Sequence, residues 1–165
     1  MVQGHRSDWR RRIHEGRPKP TSYSHSRRVR LNYLLDTNVC IAIINGRPEI
    51  VRSRFQSALG EGSSVFVSSV VVFELWYGVG KSAHIEKNAL KVDLGSSVQV
   101  VDFDGEDARA AGLQRVVLEK IGRPIGAYDL LIATQAVRRN WILVTANVSE
   151  FARIADLKWQ DWSTE

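Results

Sequence analysis

Four residues of this 165-residue chain have side chains suited to shared hydrolytic chemistry: Asp36, Glu74, Asp129 and Asn147. Each lies in or beside an apolar stretch. Asp36 follows Leu34-Leu35, and Glu74 sits between Val72-Phe73 and Leu75. Asp129 precedes Leu130-Leu131-Ile132, and Asn147 comes three residues after Val144. Three carboxylates gathered at one place repel each other unless a cation neutralises them. Oxygen ligands without Cys or His favour Mg²⁺ or Mn²⁺ over zinc. Such an ion activates water and stabilises charge on a phosphoryl oxygen, which is the chemistry of a metal-dependent nuclease. Mg²⁺ takes one or two carboxylates and completes its shell with water and substrate phosphate, so Asp36 and Asp129 are the expected direct ligands. Glu74 is either a further ligand or the group that orients the attacking water. Taken singly, each residue has an ordinary alternative: a turn or cap for Asp36 and Asn147, a paired acid for Glu74, a first-turn dipole acid for Asp129.

The rest of the composition removes competing chemistries. His5, His14 and His25 lie in the first 30 residues, leaving His84 alone in the remainder. A two-histidine ribonuclease is thereby excluded unless the N-terminal segment folds back, and a Ser-His-Asp triad would rest on His84. The single cysteine, Cys40, forms no internal disulfide and no zinc site, and its apolar neighbours mark it as a core residue. An aspartyl-nucleophile phosphatase usually carries a second Asp two residues after the first, but position 38 is Asn.

Net charge divides the chain. Residues 1–32 hold nine Lys/Arg against two acids, a net of +7, while residues 33–165 hold fourteen Lys/Arg and sixteen Asp/Glu, a net of −2. The sequence pI of 9.7 therefore describes the N-terminal segment and not the body. Residues 1–30, rich in Arg, Ser and Pro, read as a disordered basic extension preceding a single domain over 31–165. Three origins are open for it: a nucleic-acid arm, a transit peptide, or residues added by a misplaced start. No apolar run reaches the ~18 residues of a membrane span, and the expectation is a cytoplasmic protein.

The body must place its acids from elements of alternating kind. Leu31 to Leu35, Val65 to Val67, Val98 to Val101 and Trp141 to Val144 read as short strands, with Leu157 to Trp159 a fifth at the edge. Helices are expected from an Asn38 cap to Asn45-Gly46, from Pro48 to Leu59, and from a Ser68 or Ser69 cap to Gly78 and Gly80. Further helices are expected over 83–94, from an Asp104/Asp107 cap to Ile121, over 126–139, and a short one closed by Phe151. Strands alternating with helices imply an α/β fold with a mostly parallel sheet covered on both faces. Sites in such sheets form beyond the carboxyl ends of the strands, where all four candidate residues fall.

Four segments in this order resemble one family. They are Leu34-Leu35-Asp36-Thr37-Asn38, Glu74-Leu75-Trp76-Tyr77-Gly78, Ile125-Gly126-Ala127-Tyr128-Asp129-Leu130, and Leu143-Val144-Thr145-Ala146-Asn147 with Glu150-Phe151. Together they resemble the PIN-domain VapC toxins of bacterial toxin–antitoxin pairs. The resemblance implies a PIN-like fold of four to five strands and a Mg²⁺- or Mn²⁺-dependent endoribonuclease acting on tRNA or ribosomal RNA. It also implies a homodimer neutralised by a cognate antitoxin. The family's acidic set falls on Asp36, Glu74 and Asp129, with Thr37 and Thr145 behind it. Its fourth position, often Asp, is Asn147 here, which leaves two alternatives open: Glu150 substitutes in part, or the chain is a PIN-like module that binds RNA or a partner without cutting.

Overall fold

The computed structural model describes residues 30–82 and 98–164. The basic extension before residue 30, the helix expected over 83–94 and His84 lie outside the described residues. The order is β1 (Asn32–Leu35), α1 (Thr37–Asn45), α2 (Glu49–Gly60), β2 (Ser64–Ser68), α3 (Ser69–Lys81), β3 (Gln99–Val101) and α4 (Gly105–Lys120). It continues with α5 (Ala127–Arg139), β4 (Ile142–Val144), α6 (Val148–Phe151) and β5 (Lys158–Gln160). The strands form one sheet in the order β3-β2-β1-β4-β5, every pair parallel. Successive residues of a strand face opposite ways, yet Leu34 and Leu35 are both fully buried, as are Leu143 and Val144. The central strands are therefore covered on both faces, which is why they read as unbroken apolar runs.

From β1 the chain winds outward to β2 and β3 on one side, then crosses to β4 and β5 on the other. The direction of winding reverses between β1 and β4. A crevice opens beyond the carboxyl ends of strands at such a reversal. Register pairs Leu35 with Val144, so the next residues of the two strands, Asp36 and Thr145, emerge side by side.

Local expectations are corrected at four places. Asp36, not Asn38, caps α1: its backbone is extended and its carboxylate accepts the Thr37 N–H. Gly78 and Gly80 lie inside α3, which runs on to Lys81 because Val71, Leu75 and Val79 are buried at helical spacing. An interior glycine costs about 1 kcal/mol, less than a buried Val contributes. Pro48 is the residue before α2, not part of its first turn. Trp141 precedes β4 and stacks on Phe66, with centroids 4.0 Å apart. The cap of α4 has the expected form, with Asp104 and Asp107 each accepting the other's backbone N–H.

One polar cluster ties two helices together. The Asp107 carboxylate is fully buried and accepts from Gln135 Nε2 (2.9 Å), Arg139 (3.1 Å) and Arg138 Nε. Burial alone would raise this carboxyl. The bonds from Arg138, the Asp104 N–H, Arg139 and Gln135 outweigh burial and hold it down at about 2. The start of α4 is thereby fixed to the last turns of α5, whose first turn carries Asp129.

Candidate metal-binding active site

Asp36 stands at the winding reversal with its carboxylate almost wholly buried, at 2% exposure. One oxygen accepts the Thr37 N–H at 2.6 Å and the other the Thr145 hydroxyl at 2.9 Å. Thr145, fully buried at the end of β4, accepts in turn from the Asn147 N–H at 3.0 Å. Burial pushes the Asp36 carboxyl up, the two hydrogen bonds pull it down, and the charge of Glu74 adds to the rise; the net shift is upward.

Thr37 serves two acids. Its N–H is on Asp36 and its hydroxyl donates to Glu74 Oε2, bringing the second turn of α3 against the start of α1. Asp129 lies in the first turn of α5. The helix dipole there favours the ionised form, but burial and the charges of Asp36, Glu150 and Glu74 prevail, and the Asp129 carboxyl is pushed up to about 6. Asp36, Glu74 and Asp129, from three separate segments, therefore share one field.

Glu150 joins them. It lies on α6, accepts the Gly126 N–H at 3.2 Å, and adds its charge to those that raise Asp129. The sequence reading put Asn147 in the fourth place and Glu150 only in reserve. In the structure the Asn147 backbone is bound to Thr145 and its side chain makes no cap hydrogen bond, while the Glu150 carboxylate is held at the start of α5 by the Gly126 N–H and its charge acts on Asp129. The available signal was spacing: one helical turn separates Asn147 from Glu150 and swings the latter back toward α5. Gly126 leaves room beside Asp129: a Cβ there would sit 3.1 Å from Asp129 Oδ2, and the carboxylate would have to give by a few tenths of an ångström.

The donor set suits a hard divalent cation. It consists of carboxylate oxygens only, and burial together with mutual repulsion raises Asp129. Among the described residues, no three Asp, Glu, His or Cys side chains form a ready-made cage. A cage is not required: Mg²⁺ binds through one or two carboxylates, leaving positions for water and phosphate. The apolar groove of about 520 Å³ between α4 and α5, lined by Phe103, Ala111, Leu118 and Leu130 among others, contains none of the four carboxylates.

Most of the chain matches known proteins. Residues 33–157 match the PIN domain family. The chain is 40% identical over 134 residues to the tRNA(fMet)-specific endonuclease VapC of Shigella flexneri, covering 81% of this chain and 99% of that one. It is 39% identical over 131 residues to ribonuclease VapC2 of Rickettsia felis, covering 79% and 97%. Among solved structures, VapBC2 from Rickettsia felis bound to a promoter DNA fragment superposes with a TM-score of 0.73 at 37% identity, over 79% of this chain and 98% of that one. DNA-bound VapBC from Salmonella typhimurium also gives 0.73, at 38% identity, over 80% and 98%. With three carboxylates at a parallel-sheet reversal and most of its length matched, the chain belongs to the PIN-domain family, among the VapC ribonucleases of toxin–antitoxin pairs.

Proposed function

We propose that the protein is a Mg²⁺- or Mn²⁺-dependent endoribonuclease that hydrolyses phosphodiester bonds of structured RNA, of the tRNA or ribosomal class. Asp36 and Asp129 would hold the ion, with Glu74 and Glu150 beside them. Bound there, the ion supplies an activated water and charge stabilisation at the phosphoryl oxygen. The chain's own residues do the rest. Thr145 and the Thr37 N–H fix both oxygens of Asp36, so its carboxylate needs no reorganisation. The Thr37 hydroxyl fixes Glu74 within reach of a water to orient, and the Gly126 N–H fixes Glu150 against Asp129. Thr37 and Thr145 are thus positioning residues.

The observation that carries this reading is geometric: Thr37 is hydrogen-bonded to both Asp36 and Glu74, and Glu150 accepts the Gly126 N–H at the start of the helix that carries Asp129; burial, with the charges of Asp36, Glu150 and Glu74, pushes Asp129 up beside them. Glu150 also weighs against the non-cutting alternative, since it supplies a carboxylate where Asn147 cannot. The partners follow from the same reading: RNA as substrate, a cognate antitoxin as inhibitor, and a second copy of the chain. The exposed apolar residues Leu113, Val116 and Val117 of α4, with Ile121 just beyond its end, support pairing of copies. Among the described residues no helix is long and apolar enough to cross a membrane.

The test is Asp36→Asn in the full chain, measured as Mg²⁺-dependent cleavage of total RNA with an EDTA control, and as growth arrest on expression. Asn still caps α1, so the fold is expected to persist while both activities fall by at least about a hundredfold. Full toxicity of Asp36→Asn would overturn the reading.

A further inference from the structure

Two of the catalytic acids are each preceded by an exposed aromatic residue: Phe73 before Glu74 and Tyr128 before Asp129. The rings of Phe73 and Tyr128 touch across α3 and α5, with centroids 5.5 Å apart and planes tilted by 59°. One helical turn further along α3, the ring of Tyr77 lies nearly parallel to that of Phe73, at 14° and 6.3 Å. Another turn on, the Lys81 ammonium stands 5.0 Å from the Tyr77 ring centroid. Phe73, Tyr77 and Tyr128 are 51%, 60% and 45% exposed. Three large rings are left exposed beside the carboxylates, Phe73 and Tyr77 on α3, whose Val71, Leu75 and Val79 already fill the core, and Tyr128 on α5, whose Leu130 and Ile132 do the same; core packing does not explain them.

We propose that Tyr128, Phe73 and Tyr77 form a stacking track for unpaired bases next to the scissile phosphate, with Lys81 at its far end taking a phosphate. This rests on the ribonuclease reading and specifies how the site holds its substrate. Aromatic faces bind unpaired bases regardless of sequence, whereas A-form duplexes bury their bases and offer no face to stack. The charge pattern favours the same occupant. The carboxylates repel a phosphate backbone and the body carries net −2, so grip must come from uncharged faces and isolated cations. Spacing at residues 73, 77 and 81 keeps rings and cation on one side of α3, in line with the acidic site. The track makes the enzyme selective for loops or other single-stranded stretches.

Equilibrium binding separates this from cleavage. The full-length Asp36→Asn protein, with Mg²⁺, is titrated against a fluorescein-labelled single-stranded oligoribonucleotide, copies carrying one abasic ribose at successive positions, and a duplex of the same sequence. Phe73→Leu and Tyr128→Leu, which keep apolar bulk but remove the ring, should each weaken single-strand binding about tenfold and leave duplex binding unchanged. An abasic ribose at the stacked position should weaken the parent equally, with no further loss in the ring variants. In the cleaving background the ring variants should raise KM more than they lower kcat. Unchanged single-strand affinity, or equal losses on single strand and duplex, would overturn the proposal. So would ring variants that bind RNA normally but escape inhibition by the antitoxin, since the rings would then be a protein-docking face. A protein with Asp36 intact that binds unpaired RNA through the rings yet cleaves none with Mg²⁺ would refute the ribonuclease reading and leave the track standing.

Discussion

At the residue scale, the site depends on small groups that hold acids in place. Thr145 gives its hydroxyl to Asp36 while accepting from Asn147. Thr145→Val leaves a buried carboxylate oxygen and an N–H without partners, so we expect a loss of about 1–3 kcal/mol in urea unfolding, together with reduced cleavage. Gly126→Ala places a methyl group 3.1 Å from Asp129 Oδ2 and must displace that carboxylate. Cleavage should fall by roughly tenfold to a hundredfold, with thermal unfolding little changed. The pH dependence has a definite sign. Asp129 is raised to about 6, so the folded protein holds this proton more tightly than the unfolded chain does. Its contribution to stability is full below about 4 and is lost as pH rises through about 6. A divalent cation competes with that proton. Mn²⁺ should therefore raise the thermal midpoint more at pH 7.5 than at pH 5, the stabilisation at pH 7.5 being about 2.7 kcal/mol at a hundredfold excess over Kd. Equal shifts at the two pH values would remove Asp129 from the site. The positions of Asp36 and Asp129 were legible in the sequence because Asp36 directly follows the apolar strand Leu34-Leu35 and Asp129 opens the apolar helix that runs on from Leu130. The place of Glu150 was not, because only the fold of a single-turn helix returns it to Gly126 and Asp129.

At the element scale, the winding reversal between β1 and β4 decides where the chemistry sits, and α5 decides whether Asp129 arrives there. The clamp of Asp107 on Gln135, Arg138 and Arg139 holds the far end of α5 against α4. Asp107→Ala would leave two guanidinium groups without their buried partner. We expect a cost of about 3–5 kcal/mol, read as a drop of the thermal midpoint on the order of 10 °C. The strands were readable as apolar runs because both sheet faces are covered, and the Asp104/Asp107 cap because it is a purely local pattern. The end of α3 was misread, since Gly78 and Gly80 signal a stop locally while Val79 is held by packing that only the tertiary fold reveals. The α1 cap was misassigned for a related reason. Asp36 and Asn38 are both good caps, and β1–β4 pairing, which sequence does not display, selects Asp36.

At the scale of the whole molecule, two parts differ in character. The matched region begins at residue 33, just where the charge changes from a net of +7 over residues 1–32 to −2 beyond. A form beginning at residue 30 should retain RNA cleavage and the thermal midpoint of the full chain; loss of either would make the basic segment part of the working domain. The high pI accordingly says nothing about how the body meets RNA, and the aromatic track, which no charge count reveals, is the surface to examine. The parallel sheet, and Asp36 at its carboxyl edge, were visible in residue types and spacing. The relation of rings to acids across α3 and α5 required coordinates. The central claim is that Asp36 and Asp129 share one divalent ion. The most direct measurement is a calorimetric titration of Mn²⁺ into the full-length protein at pH 7.5, beside Asp36→Asn and Asp129→Asn. The account predicts binding by the parent and at least about tenfold weaker binding by each variant; unchanged affinity in either folded variant would contradict it.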